Sequence, residues 1–129
     1  MSNETRDPNA ELVERFMAGT ATGDFDAIAG LVHDDFVMYW PQSGERFSGR
    51  ENAFAAMRSQ REKPEVVGEP RLVGSGNTWV FMAPLRYADG IQHYVAVIEL
   101  EDGRIRRATG HWGAPFPAQE YRAQFAERD

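Results

Sequence analysis

The chain has 129 residues, with 14 Lys and Arg against 20 Asp and Glu, a formal net charge of −6 and no cysteine. The acidic balance argues against a nucleic-acid partner, and the lack of cysteine excludes disulfides, thiolate metal sites and cysteine nucleophiles. No apolar run approaches the ~20 residues that span a membrane, so no membrane partner is expected. We expect a single cytoplasmic domain over residues 1–129, with a flexible, polar N-terminus over residues 1–7.

Three helices are predicted in the N-terminal half. The first begins at Asp7-Pro8, because Asp is a favoured N-cap and Pro suits the first helical position, and it ends within Gly19–Gly23. Its apolar stripe comprises Leu12, Val13, Phe16 and Met17. Asp24 caps a shorter second helix, and a third is expected over Gly49–Glu62.

The remaining segments are typical of strands and turns. A short strand over Phe36–Trp40 follows a polar break at His33–Asp35. Glu65–Val73 is predicted as a strand that is kinked or at an edge, because it contains a proline. Three long strands occupy Thr78–Trp112, joined by turns that contain Asp-Gly. The tail, residues 114–129, is expected to form a short helix packed on the body or on a second subunit.

Side-chain alternation sorts the two faces of this three-stranded meander. A two-residue Asp89-Gly90 turn pairs Ala88 with Ile91 and produces one nearly all-apolar face. We assign that face to the interior, under the helices, and its members are Trp79, Phe81, Ala83, Leu85, Tyr94, Ala96, Ile98 and Leu100. In the first strand, the residues turned inward are Phe36, Met38 and Trp40.

The last hairpin allows two registers. A three-residue loop over Glu101–Gly103 turns inward a set with two small residues, Ala108, Gly110 and Trp112. A two-residue Asp102-Gly103 turn would turn inward the alternate set, Arg107, Thr109 and His111. We favour the first register, because it leaves small residues beneath a cavity and keeps an arginine out of it.

The outer face of the meander is mixed in character. Arg86, Glu99 and Arg107 are expected there, in ion pairs across a subunit contact. His93 and His111 are expected to be cross-strand neighbours on the same face. Two histidines without a third ligand do not make a convincing metal site, so no metal is assigned.

Several short motifs occur in a characteristic order. They are Gly23–Asp26, Asp35–Val37 with Trp40-Pro41, Gly49–Glu51, Val97–Ile105, and Pro115–Ala118 with Tyr121-Arg122. With its element order ααβ(β)αββββ, the chain resembles the nuclear transport factor 2-like (NTF2-like) superfamily, and within it the SnoaL-like branch named after a polyketide cyclase. The resemblance implies a cone-shaped α+β fold, a cystatin-like roll in which a curved antiparallel sheet wraps around N-terminal helices. It also implies a homodimer packed through the outer sheet face.

The open end of such a cone is expected to hold a pocket. Its predicted lining is rich in aromatic residues and methionine: Met17, Met38, Trp40, Phe54, Met57, Trp79, Phe81, Tyr94, Ala96 and Trp112. These walls suit a flat or polycyclic apolar ligand held by a few polar groups. The alternative is a solid core without a cavity. The sequence contains no P-loop, GxGxxG, HExxH or GxSxG motif, and no cofactor is assigned.

Acid–base catalysis would need an ionisable group inside the pocket, with its pKa shifted toward the working pH. The resemblance implies that the aspartate base and the protonated aspartic acid of a ketosteroid isomerase fall, by position, on Trp40 and Ala96, so both groups are missing. Tyr94 is a candidate hydrogen-bond donor, the alternative being a core tyrosine with its own partner. His33 and Asp34 are a candidate base pair at the mouth, the alternative being a solvated turn.

Three functions stay open at this point. The first is a binder of a small apolar or polycyclic molecule, favoured because the predicted interior lacks a strong acid or base. The second is a lyase, isomerase or cyclase that acts on a polyketide- or terpenoid-like substrate, with Tyr94 and His33 or Asp34 as its working groups. The third is a dimerisation module with a filled core and no ligand.

Overall fold

The computed structural model describes residues 7–129. The helices are α1 (Pro8–Thr22), α2 (Phe25–Ile28), which continues into a 3₁₀ turn (Ala29–Leu31), and α3 (Arg50–Arg58). The strands are β1 (Val32–Trp40), β2 (Glu45–Ser48), β3 (Glu65–Val66), β4 (Arg71–Ser75), β5 (Thr78–Tyr87), β6 (Gly90–Glu101) and β7 (Arg104–Gly113). None of the helices in the described part is long and apolar enough to cross a membrane. The N-terminus predicted to be flexible lies, apart from Asp7, outside the described residues.

Local caps set the boundaries of the first two helices. The Asp7 carboxylate accepts a hydrogen bond from the Asn9 N–H at 2.8 Å, and Asp24 accepts one from the Ala27 N–H at 3.3 Å. Each satisfies a backbone donor that the first helical turn leaves unpaired. Gly23 ends α1 with φ at 80°, a left-handed conformation that glycine adopts readily. The predicted cap residues are therefore confirmed.

Helix α3 ends at Arg58 and not at the predicted Glu62. The Ser59 hydroxyl donates to the Ala56 carbonyl at 2.6 Å and closes the last turn. The following residues form a loop up to Pro64, which disfavours helical backbone in the residue before it. This loop reaches the site described below.

One curved, unclosed sheet contains all seven strands, in the order β2-β1-β7-β6-β5-β3, with β4 also paired to β5. The pairings are antiparallel except for the parallel pair β1–β7. Strand β1 begins at Val32, so residues 33–35 lie inside it and the predicted polar break is wrong. Val32 pairs with Ile105, and an irregularity separates this pair from the regular register that starts at Val37. Such an irregularity accommodates the polar residues within the strand.

The pairing register of β5 and β6 differs from the prediction by two residues. Tyr87 pairs with Gly90 across a two-residue turn, Ala88-Asp89, in place of the predicted pairing of Ala88 with Ile91. The Glu62 carboxylate accepts a hydrogen bond from the Ala88 N–H and holds the turn from outside. A shift of two residues preserves the side-chain alternation, so the inward set on these strands stays as predicted.

The β6–β7 hairpin combines both registers considered above. Asp102 (φ 53°) and Gly103 (φ 76°) form a two-residue turn, so the predicted three-residue loop is wrong. Next to the turn, Arg106 is an extra residue in β7, because Leu100 pairs with Ile105 and Glu99 with Arg107. This bulge shifts the register by one residue. Consequently the inward set is the one predicted from the wrong loop: Ala108, Gly110 and Trp112.

The hydrophobic core fills the narrow part of the fold, between the helices and the inner face of the sheet. Its largest fully buried side chains are Phe36, Phe54, Ile98, Ile105, Val13 and Val32. Phe16 meets Phe36 edge-on at 5.9 Å, and Phe25 contacts Phe54 at 5.1 Å between ring centroids. Helices α1, α2 and α3 are thus packed onto one face of the sheet.

The C-terminal tail does not pack on the body. Residues 114–129 are exposed throughout and contain one 3₁₀ turn, Glu120–Arg122. The apolar side chains Phe116, Tyr121 and Phe125 are 79%, 71% and 82% exposed. The prediction of a helix laid on the body is therefore wrong, because the prolines leave the segment without a regular apolar face. Contact of the tail with a second subunit stays a prediction.

Candidate ligand-binding site

A cavity of about 540 Å³, here called the inner cavity, opens between the helices and the sheet. On the sheet it lies at the ends of β1, β5, β6 and β7 that are remote from the β6–β7 turn. Its walls are predominantly apolar. The lining residues are Glu14, Met17, Ala18, Thr20, Ala21, Met38, Trp40, Met57, Gln60, Lys63, Pro64, Val66, Pro70, Phe81, Leu85, Tyr87, Tyr94 and Trp112. The volume lies within the range of about 300–1,000 Å³ that is usual for small-molecule sites.

Most of the predicted lining residues lie on this cavity, namely Met17, Met38, Trp40, Met57, Phe81, Tyr94 and Trp112. Phe54 and Trp79 do not. Phe54 is 1% exposed in the core, and the Trp79 indole N–H donates to the Gly76 carbonyl at 2.9 Å, at the opposite end of β5. Ala96 is also a core residue. Alternation identifies the inward face of a strand, but the cavity occupies only one end of that face.

Other lining residues were missed by the sequence reasoning. Leu85 was assigned to the inward face but not to the lining, and Tyr87 shares its alternation in β5, so extending the lining toward the turn would have found both. Lys63 and its neighbours come from the loop after α3, which the sequence predicted as the end of a longer helix. Glu14 belongs to the exposed side of α1 and carries no local signal of its position at the rim.

Trp112 is the centre of an aromatic cluster at the open end. Its ring lies 5.4 Å from Trp40, edge-on, and 5.0 Å from Tyr94 between centroids. Gly110 lies beneath these rings: a Cβ there would be 3.2 Å from the Trp112 ring and 3.4 Å from the Tyr94 ring. The small residue in β7 therefore allows the two rings to lie close against the strand.

Gln42 and Tyr87 hold Trp112 in place. The Gln42 amide donates to the Trp112 carbonyl and accepts from the Trp112 N–H. Regular β1–β7 pairing ends with Tyr39 and Thr109, so the side-chain amide continues the hydrogen-bonded ladder where β1 has turned away. The Trp112 indole N–H donates to the Tyr87 hydroxyl at 3.0 Å.

The Tyr94 hydroxyl has no hydrogen-bond partner within residues 7–129, and the accessible part of this side chain faces the inner cavity. Burial raises the pKa of Tyr94 well above its usual 10, and the neighbouring Tyr87 phenol adds to the rise. Burial also raises the pKa of Tyr87, a shift that the Trp112 hydrogen bond reduces and the Glu62 charge increases. Tyr94 is consequently a neutral donor near pH 7 and not a base.

His33 and Asp34 lie away from the cavity. The His33 Nδ1 accepts from the Asp35 N–H at 3.0 Å, and Asp34 forms an ion pair with Arg50 at 3.0 Å. They occupy the start of β1, five residues before Met38, which is about 16 Å at the usual strand rise. The position that the sequence predicted for them at the mouth is therefore wrong, because β1 runs from the narrow end of the fold to the open end.

The outer face also differs from the prediction. His93 lies opposite Gly113, while His111 lies opposite Val95, so the histidines are offset by two residues and are not cross-strand neighbours. Within residues 7–129 no group of three acidic, cysteine or histidine residues is arranged to hold a metal.

Arg86 forms an ion pair within the chain, and its expected pairing across a subunit contact stays a prediction. Arg86 pairs with Glu65 at 3.0 Å, since β3 lies beside β5. Glu99 and Arg107 lie directly opposite each other on β6 and β7.

The sequence profile of the SnoaL-like domain matches residues 13–108, which span both the core and most of the cavity. The chain belongs to the SnoaL-like family. A search of curated proteins finds no match to the chain.

Solved structures with the same fold come from several bacteria. A nuclear transport factor 2-like protein of unknown function from Burkholderia xenovorans LB400 is 30% identical, with a TM-score of 0.81 and 95% of both chains covered. A provisionally named ketosteroid isomerase from Kribbella flavida DSM 17836 is 20% identical, with a TM-score of 0.86 over 95% of this chain and 90% of that one. These two structures establish the fold: helices packed on a curved, unclosed sheet.

Proposed function

We propose that this protein binds a small, flat or polycyclic apolar molecule in the inner cavity, with Tyr94 donating a hydrogen bond to an oxygen of the ligand. The observation that carries the proposal is a neutral hydroxyl without a protein partner in a predominantly apolar cavity of about 540 Å³. A donor that the protein itself leaves unpaired is available to an acceptor on a ligand. The aromatic and methionine side chains around it suit a planar ring system.

Calorimetric titration with two matched naphthalenes tests this proposal. 2-Acetylnaphthalene offers a carbonyl acceptor and 2-ethylnaphthalene does not. We expect the ketone to bind several-fold tighter, as a hydrogen bond of about 1 kcal/mol requires, and Tyr94→Phe to remove the difference. Tyr121→Phe, in the exposed tail, is the control and should keep it. Failure of both compounds to bind would contradict the proposal.

A lyase, isomerase or cyclase acting on a polyketide- or terpenoid-like substrate is the second candidate. The observation that favours it is again Tyr94, since a preorganised neutral donor can stabilise an oxyanion that develops during reaction. The titratable residues of the cavity lining are Glu14, Lys63, Tyr87 and Tyr94, and the one carboxylate among them lies at the exposed rim. An enzyme of this kind should lose turnover by about 10²–10³-fold on Tyr94→Phe, whereas a binder should lose only the several-fold affinity given above.

We also propose that the protein forms a homodimer through the outer sheet face and acts in the cytoplasm. The face carries partly buried apolar side chains, among them Val80, Met82, Val95 and Val97. Light scattering of the purified protein should give twice the monomer mass, and Val97→Glu should halve it. A stable dimer in which no naphthalene binds would favour a dimerisation module without a ligand.

A further inference from the structure

A second cavity of about 510 Å³, here called the outer cavity, lies beside the inner cavity at the mouth. Its lining comprises Trp40, Gln42, Ser43, Glu45, Gln60, Glu62, Tyr87, Asp89, Gln92 and Trp112. Four of these residues also line the inner cavity: Trp40, Gln60, Tyr87 and Trp112. The two cavities therefore adjoin each other at these side chains.

The charges of the outer cavity have one sign. Glu45, Glu62 and Asp89 contribute carboxylates, and its lining contains no lysine, arginine or histidine. Within residues 7–129 none of the three forms an ion pair. Two of them are positioned by neutral donors: Glu62 accepts from the Ala88 N–H, and Glu45 accepts from the Ser43 hydroxyl at 2.7 Å. These hydrogen bonds orient the carboxylates without neutralising them.

Three of the four residues shared by the two cavities are aromatic, and they lie close to these carboxylates. The Glu62 charge contributes to raising the pKa of Tyr87, which shows that its field reaches the boundary between the cavities. Tyr87 accepts from the Trp112 indole at 3.0 Å, which fixes the two rings relative to each other at the boundary. Trp40, Tyr87 and Trp112 also offer π faces, which attract a cation that lies within about 6 Å.

The lysine of the inner cavity lies on a different side. Lys63 donates to the Thr22 carbonyl at 3.3 Å, at the C-terminal end of α1, and it is not part of the outer lining. A cationic group would be repelled from that side and attracted toward the carboxylates at the mouth. The two charged regions therefore favour one orientation of a bound cation.

From this arrangement we infer that the ligand is a lipophilic amine, with its flat body in the inner cavity and its protonated amino end in the outer cavity. The inference rests on the proposed binding function and specifies the chemical class of the ligand. Contiguity of the two cavities, uniform charge at the mouth and the aromatic boundary together support it, since each alone would suit many ligands.

Three probes that share one ring test the inference: 2-(2-naphthyl)ethylamine, 2-(2-naphthyl)ethanol and 2-naphthylacetate, which are cationic, neutral and anionic at pH 7. We expect the amine to bind about tenfold tighter than the alcohol at low salt, as partly exposed charge pairs and cation–π contacts allow. The acetate should bind more weakly than the alcohol. The amine-to-alcohol ratio should fall as salt is raised, because the mouth is open to solvent.

A charge-neutralised variant, Glu45→Gln with Glu62→Gln and Asp89→Asn, should bring the ratio close to one. The matched control removes three exposed charges elsewhere, in the first turn of α1 and at the β6–β7 turn: Glu11→Gln with Glu101→Gln and Asp102→Asn. It should preserve the ratio, and circular dichroism verifies that both variants are folded.

Each outcome of these titrations separates the two proposals. Binding of the alcohol without a preference for the amine overturns this inference and leaves the proposed function standing. A preference that persists in the neutralised variant, or that does not respond to salt in the unaltered protein, also overturns it. Failure of all three probes to bind contradicts the proposed function itself.

Discussion

Gly110→Ala probes the close packing beneath the aromatic cluster. The added Cβ would lie 3.2 and 3.3 Å from two atoms of the Trp112 ring and 3.4 Å from the Tyr94 ring. These contacts are shorter than ordinary van der Waals distances, so the rings must move a few tenths of an ångström toward the inner cavity. The indole N–H bond of Trp112 to Tyr87 (3.0 Å) and its contact with Trp40 resist that movement.

Two opposing effects set the size of the stability change expected for Gly110→Ala. Overpacking of this kind costs about 1–3 kcal/mol, whereas replacing glycine by alanine within a strand contributes about 0.5–1 kcal/mol to stability. The difference is a loss of about 0–2.5 kcal/mol in the free energy of unfolding, or up to about 10 °C in Tm for a domain of this size. The shifted rings also narrow the inner cavity, so 2-acetylnaphthalene should bind more weakly.

Urea denaturation followed by tryptophan fluorescence measures the change, and Gly113→Ala is the matched control. Gly113 lies in the same strand, but a Cβ there would meet only the His93 carbonyl oxygen at 3.8 Å. The control should be neutral or slightly stabilised. If Gly110→Ala is as stable as the control and binds the ketone equally well, the argument from ring packing is refuted.

Three further substitutions test the supports around the site. Gln42→Ala removes both hydrogen bonds to the backbone of β7 and should cost about 1–3 kcal/mol in urea denaturation, whereas Gln119→Ala in the exposed tail should cost nothing measurable. Arg50→Met removes two hydrogen bonds to backbone carbonyls and two ion pairs, with Asp34 and Glu51, from a side chain that is 25% exposed. It should cost about 1–3 kcal/mol, and exposed Arg61→Met is its control. Above pH 10 the unfolded chain releases the Tyr94 proton while the folded protein keeps it, so the free energy of unfolding falls as pH rises. Tyr94→Phe should flatten that slope, and an unchanged slope would contradict a raised pKa.

Helix caps and the alternation of the long strands could be predicted from the sequence, because both are local properties. Asp7 and Asp24 cap helices wherever the chain takes them, and a period of two in β5 separates Phe81 from Met82 regardless of register. For the same reason Tyr94 could be assigned to the interior before its neighbours were known, whereas the inward position of Trp112 depended on the register of the last hairpin. The site residues identified in this way are those whose position depends only on the face of a strand.

Tertiary contacts decided the register of the strand pairs, the position of each inward residue in the core or on the cavity, and the end of the third helix. Glu62 holds the β5–β6 turn from a distant segment, and the bulge at Arg106 depends on pairing between two whole strands. Phe54 and Trp79 face inward as predicted, yet both are buried in the core and not on the cavity, whereas Lys63, in the loop after α3, lies on the cavity lining. Side-chain alternation is a property of each strand residue by residue. Whether an inward residue lies in the core or on the cavity depends on which other segments of the chain pack against it. That is why the chemistry of the walls could be predicted from the sequence, while the extent of the cavity and its acidic mouth emerged only from the folded structure.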